Sequence, residues 1–520
     1  MIVQSDLILR TDKLGMTSKT LSTVGLMMAI TLTGKLMGIL RDRMQAVYFG
    51  TYTAEGIAFM QASMLPRIFL DIAFASVFSA SFIPVFNRYL ENKGKQAAFE
   101  LAARFIRIIL LATVVGTIIA IIFAEPIYGI FLDGEALRYD VRPLGVQLLR
   151  IMFPIIIISS LAFSLTGILQ SMGQYYIPAA MSIASNGIIL LYYFFFIERH
   201  GVYGLAVAFL IGWSCQVLIQ IPFLIKHRFS IFVKGKDRDG LRDVIQLALP
   251  VMVATWLSPV NLLVNTRAAV NLYDGEHGFV SLGLAHGLYT VITGVVVLSL
   301  SNLLFPTLSK FAAHENWTEY TAFLRSSLRG LLFLLIPMTF GLMAVARPLV
   351  SLVYGGGRFQ ETSIEITATA LFFFSIGIVG FGLHVIFSRA CFAIQDGRGP
   401  LVTAVIAMII NLVLSFALAP SMEIAGPALA SAVAITVAAF GLLLRLVKKL
   451  PEALLTWDMV RDAVKVLILA VLMYCLVVFL LGYMFLFFAI VIGALFYFVA
   501  AVVLRVGEAR MVVDWVRSKS

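Results

Sequence analysis

Charged side chains lie inside stretches of this sequence that are otherwise apolar. The first such stretch, residues 31–50, reads TLTGKLMGILRDRMQAVYFG and carries Lys35, Arg41, Asp42 and Arg43. An ionisable side chain within a bilayer is costly, so it usually faces a charged partner or a protein cavity. Each of these residues is therefore a candidate for ligand binding, and the cations among them predict an anionic ligand.

Later apolar stretches carry further charged or polar side chains. The second stretch has Arg67 and Asp71 one helical turn apart, and the seventh has Asn265 and Arg267. Guanidinium groups suit phosphate, because their fork of N–H groups matches its oxygens. We therefore predict a cavity that binds a phosphorylated or diphosphorylated molecule. The predicted binding residues are Lys35, Arg41, Asp42, Arg67, Asn265 and Arg267, and the secondary candidates are Arg43, Glu55, Asp71 and His286.

Simpler roles remain open for several of these residues. Arg67 and Asp71 lie at positions i and i+4 of a helix, where they would neutralise each other. The adjacent Pro66 instead favours a broken helix that lines a cavity. Arg41 and Arg43 stand near the end of their stretch, where long cationic side chains reach the membrane interface.

The composition indicates the environment of these charges. Of the 520 residues, 61% are hydrophobic and 13% are charged, and the mean hydropathy is +0.97. Apolar runs of about 18–25 residues recur along the chain, each long enough to cross a hydrocarbon layer as a helix. The sequence therefore predicts an all-α polytopic membrane protein with about 14 transmembrane helices. The N-terminal residues lack the apolar segment of a signal peptide, so we expect the first span to insert uncleaved.

The positive charge is concentrated in a few connecting segments. The formal net charge is +11, and much of the excess lies in residues 226–242, in residues 445–449 and in the C-terminal tail. Counted along the helices, these segments share one side of the membrane, which the positive-inside rule makes cytoplasmic. In the segment 125–142, which we place on the other side, the charged residues are mostly acidic. We therefore expect cytoplasmic termini and no nucleic-acid partner.

Matching prolines, arginines and glycines reveal an internal repeat at an offset of 222 residues. The matched pairs are Pro84 with Pro306, Arg107 with Arg329, Pro126 with Pro348, Pro178 with Pro400, and Gly204 with Gly426. Each repeat contains an even number of predicted helices, so both have the same orientation in the membrane. We predict two parallel six-helix lobes related by a pseudo-twofold axis along the membrane normal, a design typical of alternating-access transporters.

The repeat also predicts how the whole chain is organised. Residues 1–225 form an N-terminal lobe of helices 1–6, residues 226–242 a basic cytoplasmic linker, and residues 243–449 a C-terminal lobe of helices 7–12. Residues 450–520 hold helices 13 and 14 and a cytoplasmic tail. The lysine and the first arginine of residues 31–50 have leucines opposite them in the second repeat, so these charges belong to the first lobe alone.

Motifs for nucleotide hydrolysis and metal catalysis are absent from the sequence. The Gly-Lys pairs at 34–35, 94–95 and 235–236 lack the Ser/Thr and the upstream glycine of a phosphate-binding loop, and no HExxH occurs. The three cysteines lie far apart in apolar runs and form no CxxC pair. We expect no cofactor and no ATP site, with a membrane potential or an ion gradient as the energy source.

Several stretches resemble a known family. GKLMGILRDRMQAVYFG at 34–50, MLPRIFLDIAFASVFSASFIPVF at 64–86, FPTLSK at 305–310 and QDGRGP at 395–400 are similar to the MurJ/MviN family of lipid II flippases. This family belongs to the multidrug/oligosaccharidyl-lipid/polysaccharide exporter superfamily. The resemblance implies two six-helix lobes and two C-terminal helices that form a groove for a lipid tail. It also implies outward flipping of an undecaprenyl-diphosphate-linked peptidoglycan precursor across the bacterial cell membrane, with cavity cations on the diphosphate.

The resemblance further implies roles for particular residues. Two family arginines of the first helix fall on Lys35 and Arg41, and the acid that follows the second falls on Asp42. Other family residues are replaced in this chain. Residues 70–71 read Leu-Asp where relatives have two arginines, and residues 285–287 read Ala-His-Gly where relatives have Ala-Asp-Arg. These departures leave the identity of the headgroup open.

Some relatives also carry carboxylates in helices 7 and 11 that suit sodium. Asn265 and Ser415 occupy those positions here, which leaves Asn411 and Ser431 as weak metal candidates. We expect no strong metal site, because neither amides nor hydroxyls bring the negative charge of a carboxylate. Arg267 is expected to restore a cation that helix 8 has lost.

Three functions compete. The leading one is a lipid II flippase, which acts on a lipid-linked diphosphate glycan within membrane lipids and which we expect to be a monomer. The first alternative exports another polyprenyl-diphosphate-linked glycan or a drug. The second is a membrane glycosyltransferase or polymerase, which would need an external acid such as Asp133, Glu135 or Asp140. The repeat argues against an enzyme, because such an enzyme has no need of two rocking lobes.

Overall fold

The protein is helical throughout the part of the chain that the structure, a computed structural model, describes. That part comprises residues 18–71, 81–131, 141–233, 240, 242–245, 257–275 and 277–510. The helices are α1 (Ser18–Phe49), α2 (Ala54–Asp71), α3 (Ile83–Asn92), α4 (Gly94–Ile122), α5 (Ala124–Phe131), α6 (Val141–Met152), α7 (Ile155–Ser171), α8 (Tyr176–Phe195), α9 (Ile197–Leu218), α10 (Ile221–Lys226), α11 (Leu257–Ala269), α12 (Gly278–Ala313), α13 (Trp317–Tyr354), α14 (Glu361–Ile376), α15 (Ile378–Ala393), α16 (Arg398–Met422), α17 (Ala425–Lys449), α18 (Trp457–Leu481) and α19 (Leu486–Val503). The predicted all-α class is confirmed.

Many of these helices are long and apolar enough to cross a membrane. Within the described ranges there are ten such spans, two of which join consecutive helices, α6 with α7 and α9 with α10. Helices α14 and α15, bent by 44° at their junction, make an eleventh if they form one span. The prediction of a multi-pass membrane protein is therefore confirmed. The count of about 14 spans stays a prediction. Two of the expected spans, the second and the seventh, include residues outside the described ranges.

The chain divides into two compact units. The first unit comprises Met1–Met44, Ala58–Ile127 and Pro143–Trp256, and the second comprises Gln45–Ile57, Tyr128–Arg142 and Leu257–Ser520. Both units therefore combine segments that are distant in the sequence. The predicted segment boundaries at 225, 242 and 449 remain predictions.

Aromatic packing forms the core of the first unit. The rings of Phe82 and Phe105 stack with their centroids 5.1 Å apart. The ring of Phe99 meets that of Phe229 edge to face at 5.3 Å, which fixes the chain just after α10 against α4. Such offset and edge-to-face pairs add to the free energy gained by burying their area.

Gly34 and Gly38, which are four residues apart on one face of α1, let this helix approach α8 closely. A Cβ atom on Gly34 would lie only 3.0 Å from Cβ of Ser182. The freed space brings Asn186 near enough for its Nδ2 to donate to the Gly34 carbonyl at 3.2 Å. Small residues at such positions allow helix backbones to come together inside a membrane. This contact places the polar face of α8 beside the cations of α1.

The second unit contains the segment that joins α1 to α2. The Val47 carbonyl accepts a hydrogen bond from the backbone N–H of Arg358 at 2.9 Å. The Thr51 hydroxyl lies 2.6 Å from Nδ1 of His277 and 2.7 Å from the Ser363 hydroxyl. A Cβ on Gly357, which has a φ of +55°, would collide with the Val47 carbonyl oxygen at 2.4 Å. Residue 357 is therefore best a glycine, because its backbone has a positive φ and because a side chain there would collide with Val47.

The predicted repeat is also visible in where helices begin. Helices α4, α7 and α8 start at residues 94, 155 and 176, and α13, α15 and α16 start 223, 223 and 222 residues later. One difference is that α13 is continuous where the first repeat breaks at Phe123 between α4 and α5. The offset that was read from prolines and arginines thus matches the helix boundaries.

The repeated arginines perform equivalent tasks. Arg107 on α4 donates from Nη1 to the carbonyls of Ile231 and Val233, each at 2.8 Å, just after the last helix of its repeat. Arg329 on α13 donates from Nη2 to the Thr456 hydroxyl at 3.2 Å, again just after the last helix of its repeat. In each repeat an arginine therefore ties the outgoing chain to the bundle.

A second charged cluster secures the QDGRGP turn between α15 and α16. The nearly buried Asp396 carboxylate accepts from Nη2 of Arg445 at 2.9 Å and pairs with Nζ of Lys449 at 2.8 Å. The backbone N–H of Gly399 donates to the same carboxylate at 3.2 Å. The hydrogen bond from Arg445, followed by the Lys449 and Gly399 contacts, holds the pKa of Asp396 well below its ordinary value against the opposing effect of burial.

Replacing Arg107 by alanine should destabilise the protein. The change removes two hydrogen bonds from a charged donor, so the free energy of unfolding should fall by about 1–3 kcal/mol. Thermal unfolding of the purified protein in detergent measures the effect. Arg150→Ala is the matched control, because Arg150 is exposed on α6 and its side chain makes no hydrogen bond in the described part of the chain. Equal unfolding temperatures for both variants would contradict the anchoring role.

Acid should weaken the Asp396 cluster by protonating its carboxylate, and Asp396→Asn, which has no carboxylate at this position, should not show this loss. A carboxyl whose folded pKa lies below its unfolded pKa stabilises the fold above the unfolded pKa, and this stability is lost as pH falls through the folded pKa. At about pH 7 Asp396→Asn should therefore unfold at a lower temperature than the wild type. The difference should shrink below about pH 4, the ordinary range of an Asp carboxyl. A difference that is constant with pH would refute this assignment.

Candidate functional site

Arg41 is the best-defined cation of the predicted binding set. Its Nε and Nη2 donate to Oδ1 of Asp42 at 3.0 and 2.7 Å, and its Nη1 donates to Oδ1 of Asn186 at 3.0 Å. The Phe209 ring centroid lies 5.8 Å from the guanidinium carbon. With 18% of its side chain exposed, Arg41 is held in a fixed orientation. Asp42 therefore serves mainly to position Arg41 and to offset its charge.

Arg41 lines a cleft that lies wholly within the first unit. This first-unit cleft has a volume of about 520 Å³ and is enclosed by α1, α7, α8 and α9 and the α7–α8 turn. Its polar wall comprises Arg41, Thr166, Gln170, Ser182, Asn186 and Gln216, with Tyr175 and Trp213 as aromatic members. The volume is in the range of small-ligand sites. The cleft is therefore large enough to bind part of a polar headgroup.

The other predicted residues of the first two helices are arranged differently. Lys35 is exposed on α1, Arg43 is half-buried, and Glu55 is exposed in the first turn of α2. The side chains of Arg67 and Asp71 lie outside the described part of the structure. The expected break at Pro66 is wrong: α2 continues through the proline as far as Asp71. A proline removes one backbone hydrogen bond and crowds the preceding turn, but it need not end a helix that its neighbours support.

Arg267, on α11 in the second unit, has a guanidinium nitrogen without a hydrogen-bond partner among the described residues. Its side chain is half-buried, and its Nη1 is buried without a hydrogen-bond partner among the described residues. A buried unpaired donor is expensive, so such a group is a sensitive indicator of a missing partner. The prediction of Arg267 as a ligand contact therefore gains a structural reason.

Asn265, two residues before Arg267 on α11, lies in a closed network of hydrogen bonds. Its Oδ1 accepts from Nδ2 of Asn411 at 2.9 Å and from the Ser415 hydroxyl at 3.0 Å. Its Nδ2 donates to the Ser431 hydroxyl at 2.7 Å. The four side chains thus join α11, α16 and α17 and carry no net charge. The amide of Asn265 is thus hydrogen-bonded within the protein, and its predicted role in substrate binding stays a prediction.

His286 lies among aromatic rings rather than beside charges. Its ring centroid is 5.5 Å from that of Phe374 in an edge-to-face contact and 6.2 Å from that of Tyr289. This setting is that of a histidine packed into a core. In the described part of the chain, moreover, no group of three or more His, Cys, Asp or Glu side chains is placed to hold a metal ion.

A groove of very different character runs between α13, α18 and α19 in the second unit. It has a volume of about 540 Å³, and nearly all of its lining is apolar. Phe333, Pro337 and Met338 of α13 face Met473 of α18 and Tyr497 of α19. The Tyr497 hydroxyl, the main polar group, donates to the Phe333 carbonyl at 2.8 Å and is thereby satisfied. The groove therefore suits a hydrocarbon chain.

Comparison with known proteins identifies the family. A family model described as lipid II flippase MurJ matches residues 45–499, which is most of the chain. The protein belongs to the MurJ family. Its resemblance to that family, inferred above from short stretches, is thereby confirmed.

Individual relatives agree with this assignment. The probable lipid II flippase MurJ of Buchnera aphidicola subsp. Schizaphis graminum is 29% identical over 399 residues, which cover 76% of each chain. The lipid II flippase MurJ of Burkholderia cenocepacia is 26% identical over 411 residues, covering 76% of this chain and 78% of that one. MurJ relatives are flippases, so the family consists of transporters rather than enzymes.

Solved structures show the same fold. Lipid II flippase MurJ in an inward closed conformation superimposes with a TM-score of 0.78 at 23% identity, covering 92% of this chain and 98% of that one. An inward-facing multidrug resistance MATE family transporter of the MOP superfamily superimposes with a TM-score of 0.70 at 15% identity, covering 82% and 99%. At these identities the likeness concerns the fold alone.

In this MurJ family member, sequence reasoning missed the neutral part of the site. It weighted charges inside apolar stretches and therefore found Arg41, but it passed over Gln170, Asn186, Trp213 and Gln216, all of which line the first-unit cleft. A usable signal was present, because an amide inside an apolar span also needs a partner. The structure was needed to show which of these amides face a cavity.

Proposed function

We propose that this protein is a flippase that moves lipid II, a peptidoglycan precursor linked to undecaprenyl diphosphate, from the cytoplasmic to the outer leaflet by alternating access. The observation that carries the proposal is the presence, in one MurJ family chain, of two contrasting features. One is a polar cleft that holds an arginine. The other is an apolar groove that suits a polyprenyl chain. Such a substrate has both a polar anionic end and a long hydrocarbon end.

The cations of the predicted set would bind the diphosphate. Lys35 is exposed, and Nη1 of Arg267 has no partner within the described residues, so both have N–H groups to offer. Arg41 would contact the anion while Asp42 and Asn186 keep its guanidinium in place. A lysine in place of the family arginine keeps the charge at residue 35 but loses the bidentate geometry of guanidinium.

The groove between α13, α18 and α19 would bind the lipid tail. An apolar chain gains about 0.8 kcal/mol for each methylene group that it buries away from water. In a bilayer this gain is already available from the lipids, so the groove would guide the tail rather than supply affinity.

The polar network at Asn265 bears on how transport is driven. Hard cations prefer oxygen ligands that bring negative charge. The amides and hydroxyls here are neutral, and the amide oxygens of Asn265 and Asn411 and the hydroxyl oxygen of Ser431 already accept protein hydrogen bonds. We therefore assign the driving force to the membrane potential, which contributes about 2.3 kcal/mol per elementary charge per 100 mV. An inside-negative potential favours the outward movement of an anionic headgroup.

The proposal places the protein in the bacterial cytoplasmic membrane, as a monomer with both termini inside. The basic segments of residues 226–242 and 445–449 support this orientation through the positive-inside rule. Substitutions at residues 70–71 and 285–287, where relatives carry other charges, favour one alternative substrate class: another polyprenyl-diphosphate-linked glycan.

Expression of this protein in bacteria depleted of their own flippase should restore lipid II to the outer face of the membrane. Lys35→Ala, Arg41→Ala and Arg267→Ala should each lower the rate of exposure by at least about tenfold, because each removes a cation from the anion site. The readout is labelling or cleavage of externally accessible lipid II. Immunoblotting of the membrane fraction shows whether each variant reaches the wild-type level.

Arg199→Ala is the matched control, since Arg199 is exposed and its side chain makes no hydrogen bond in the described ranges. Its exposure rate should equal that of the wild type. If the wild type restores no lipid II exposure, the substrate assignment is wrong, and a different polyprenyl-diphosphate glycan becomes the substrate to test. If exposure is restored and all three alanine variants keep the wild-type rate, the cation mechanism is wrong.

Transport by the purified protein in lipid vesicles should not require sodium. With the membrane potential fixed by a potassium gradient and valinomycin, replacement of sodium by choline should change the flipping rate by less than about twofold. Collapse of the potential should lower the rate, and a potential-sensitive dye verifies each condition. A loss of about tenfold or more in choline at constant potential would instead require a sodium site.

A further inference from the structure

Gln216 on α9 is buried without a protein partner. Its side chain is 7% exposed, it lines the first-unit cleft, and its amide makes no hydrogen bond to any described residue. The nitrogen and oxygen of this amide are open to the cleft and are not sealed from solvent. A polar group that faces a cleft and is not used by the protein is available to hydrogen-bond to a ligand.

The neighbouring Gln220 shows how a structural glutamine looks in the same region. It is fully buried, and its Nε2 donates to the carbonyls of Ala162 at 3.1 Å and Gln216 at 2.9 Å. Its Oε1 accepts from the Thr166 hydroxyl at 3.3 Å. Both polar ends of Gln220 are thus used to hold α7 against the end of α9. Nothing equivalent holds the amide of Gln216, which therefore has its donors and acceptor available to the cleft.

The remaining wall of the cleft indicates the chemistry of the missing partner. It contributes amides from Gln170 and Asn186, hydroxyls from Thr166 and Ser182, and the aromatic side chain of Trp213. Amides and hydroxyls both donate and accept hydrogen bonds, so they match a ligand that does the same. The described lining contains no carboxylate, which argues against a cation, and Arg41 supplies its single cation.

We propose that the first-unit cleft is a carbohydrate subsite for the neutral sugar part of the lipid-linked headgroup. The Gln216 amide bonds to a hydroxyl or acylamino substituent, and the Trp213 ring packs against the sugar ring. Arg41, held by Asp42 and Asn186 at the same wall, lies toward the attached phosphate. This inference rests on the proposed function, but it concerns the sugar and not the diphosphate or the tail.

The test separates the sugar from the diphosphate by comparing two lipids. Binding of lipid II and of undecaprenyl diphosphate, which has no sugar, is measured by native mass spectrometry or fluorescence quenching on the full-length protein in detergent. Gln216→Leu should weaken lipid II binding by about tenfold, the contribution of one buried hydrogen bond. Binding of undecaprenyl diphosphate should change by less than about twofold, because that lipid places nothing against Gln216.

Two further variants guard against a folding defect. Gln170→Leu, at a half-buried position of the cleft wall, should show the same selective loss while disturbing the core less. Gln96→Leu makes the same chemical change at an exposed position on α4, outside the cleft, and should bind both lipids as the wild type does. Thermal unfolding of all three variants identifies any that are unstable.

The outcomes are distinguishable. Selective loss of lipid II binding in both cleft variants supports the subsite. Unchanged lipid II binding in both variants means that the cleft holds only water, and equal loss of both lipids means that Gln216 is structural; either result overturns the subsite. If the wild-type protein binds undecaprenyl diphosphate but gains no affinity from the sugars, the subsite is again wrong. If it binds neither lipid, the proposed function itself fails.

Discussion

A polar group inside a bilayer finds no water, so it must bond to another protein group or face a cavity. Asn265 meets this requirement through a closed network with side chains of α16 and α17. Arg41 meets it through Asp42 and Asn186. Gln216 meets it in the other way, because its amide faces the first-unit cleft. The need for partners thus organises both the helix packing and the site.

The two repeats kept the same anchors but not the same chemistry. Arg107 and Arg329 each hydrogen-bond to the segment that follows the last helix of their repeat. In both repeats this contact holds the outgoing chain against the helices. Lys35 and Arg41, by contrast, have leucines at the equivalent positions of the second repeat. In the proposed mechanism one anion needs one set of cations, and a second set inside the membrane would add cost without a ligand to offset it.

Prediction from the sequence was most accurate for properties that depend on local sequence, such as the length and the starting residue of a helix. Apolar length indicated the helices, and the offset of prolines anticipated where α13, α15 and α16 begin. The break expected at Pro66 was wrong, because the contacts around a proline decide whether its helix continues. For the site, charge alone led to Arg41 but gave no means of separating a neutral side chain that lines a cavity from one that packs in the core.

Composition, charge placement and the internal repeat determined that this is a helical multi-pass membrane protein, since those properties depend on residue type and spacing alone. The tertiary structure decided which polar groups are free to bind. Gln216 and Gln220 have identical side chains four residues apart, yet the amide of Gln220 reaches the Ala162 carbonyl of α7, whereas that of Gln216 meets the cleft. Their difference arises from a neighbouring helix more than 50 residues earlier in the chain, and such a contact exists only after the helices have packed.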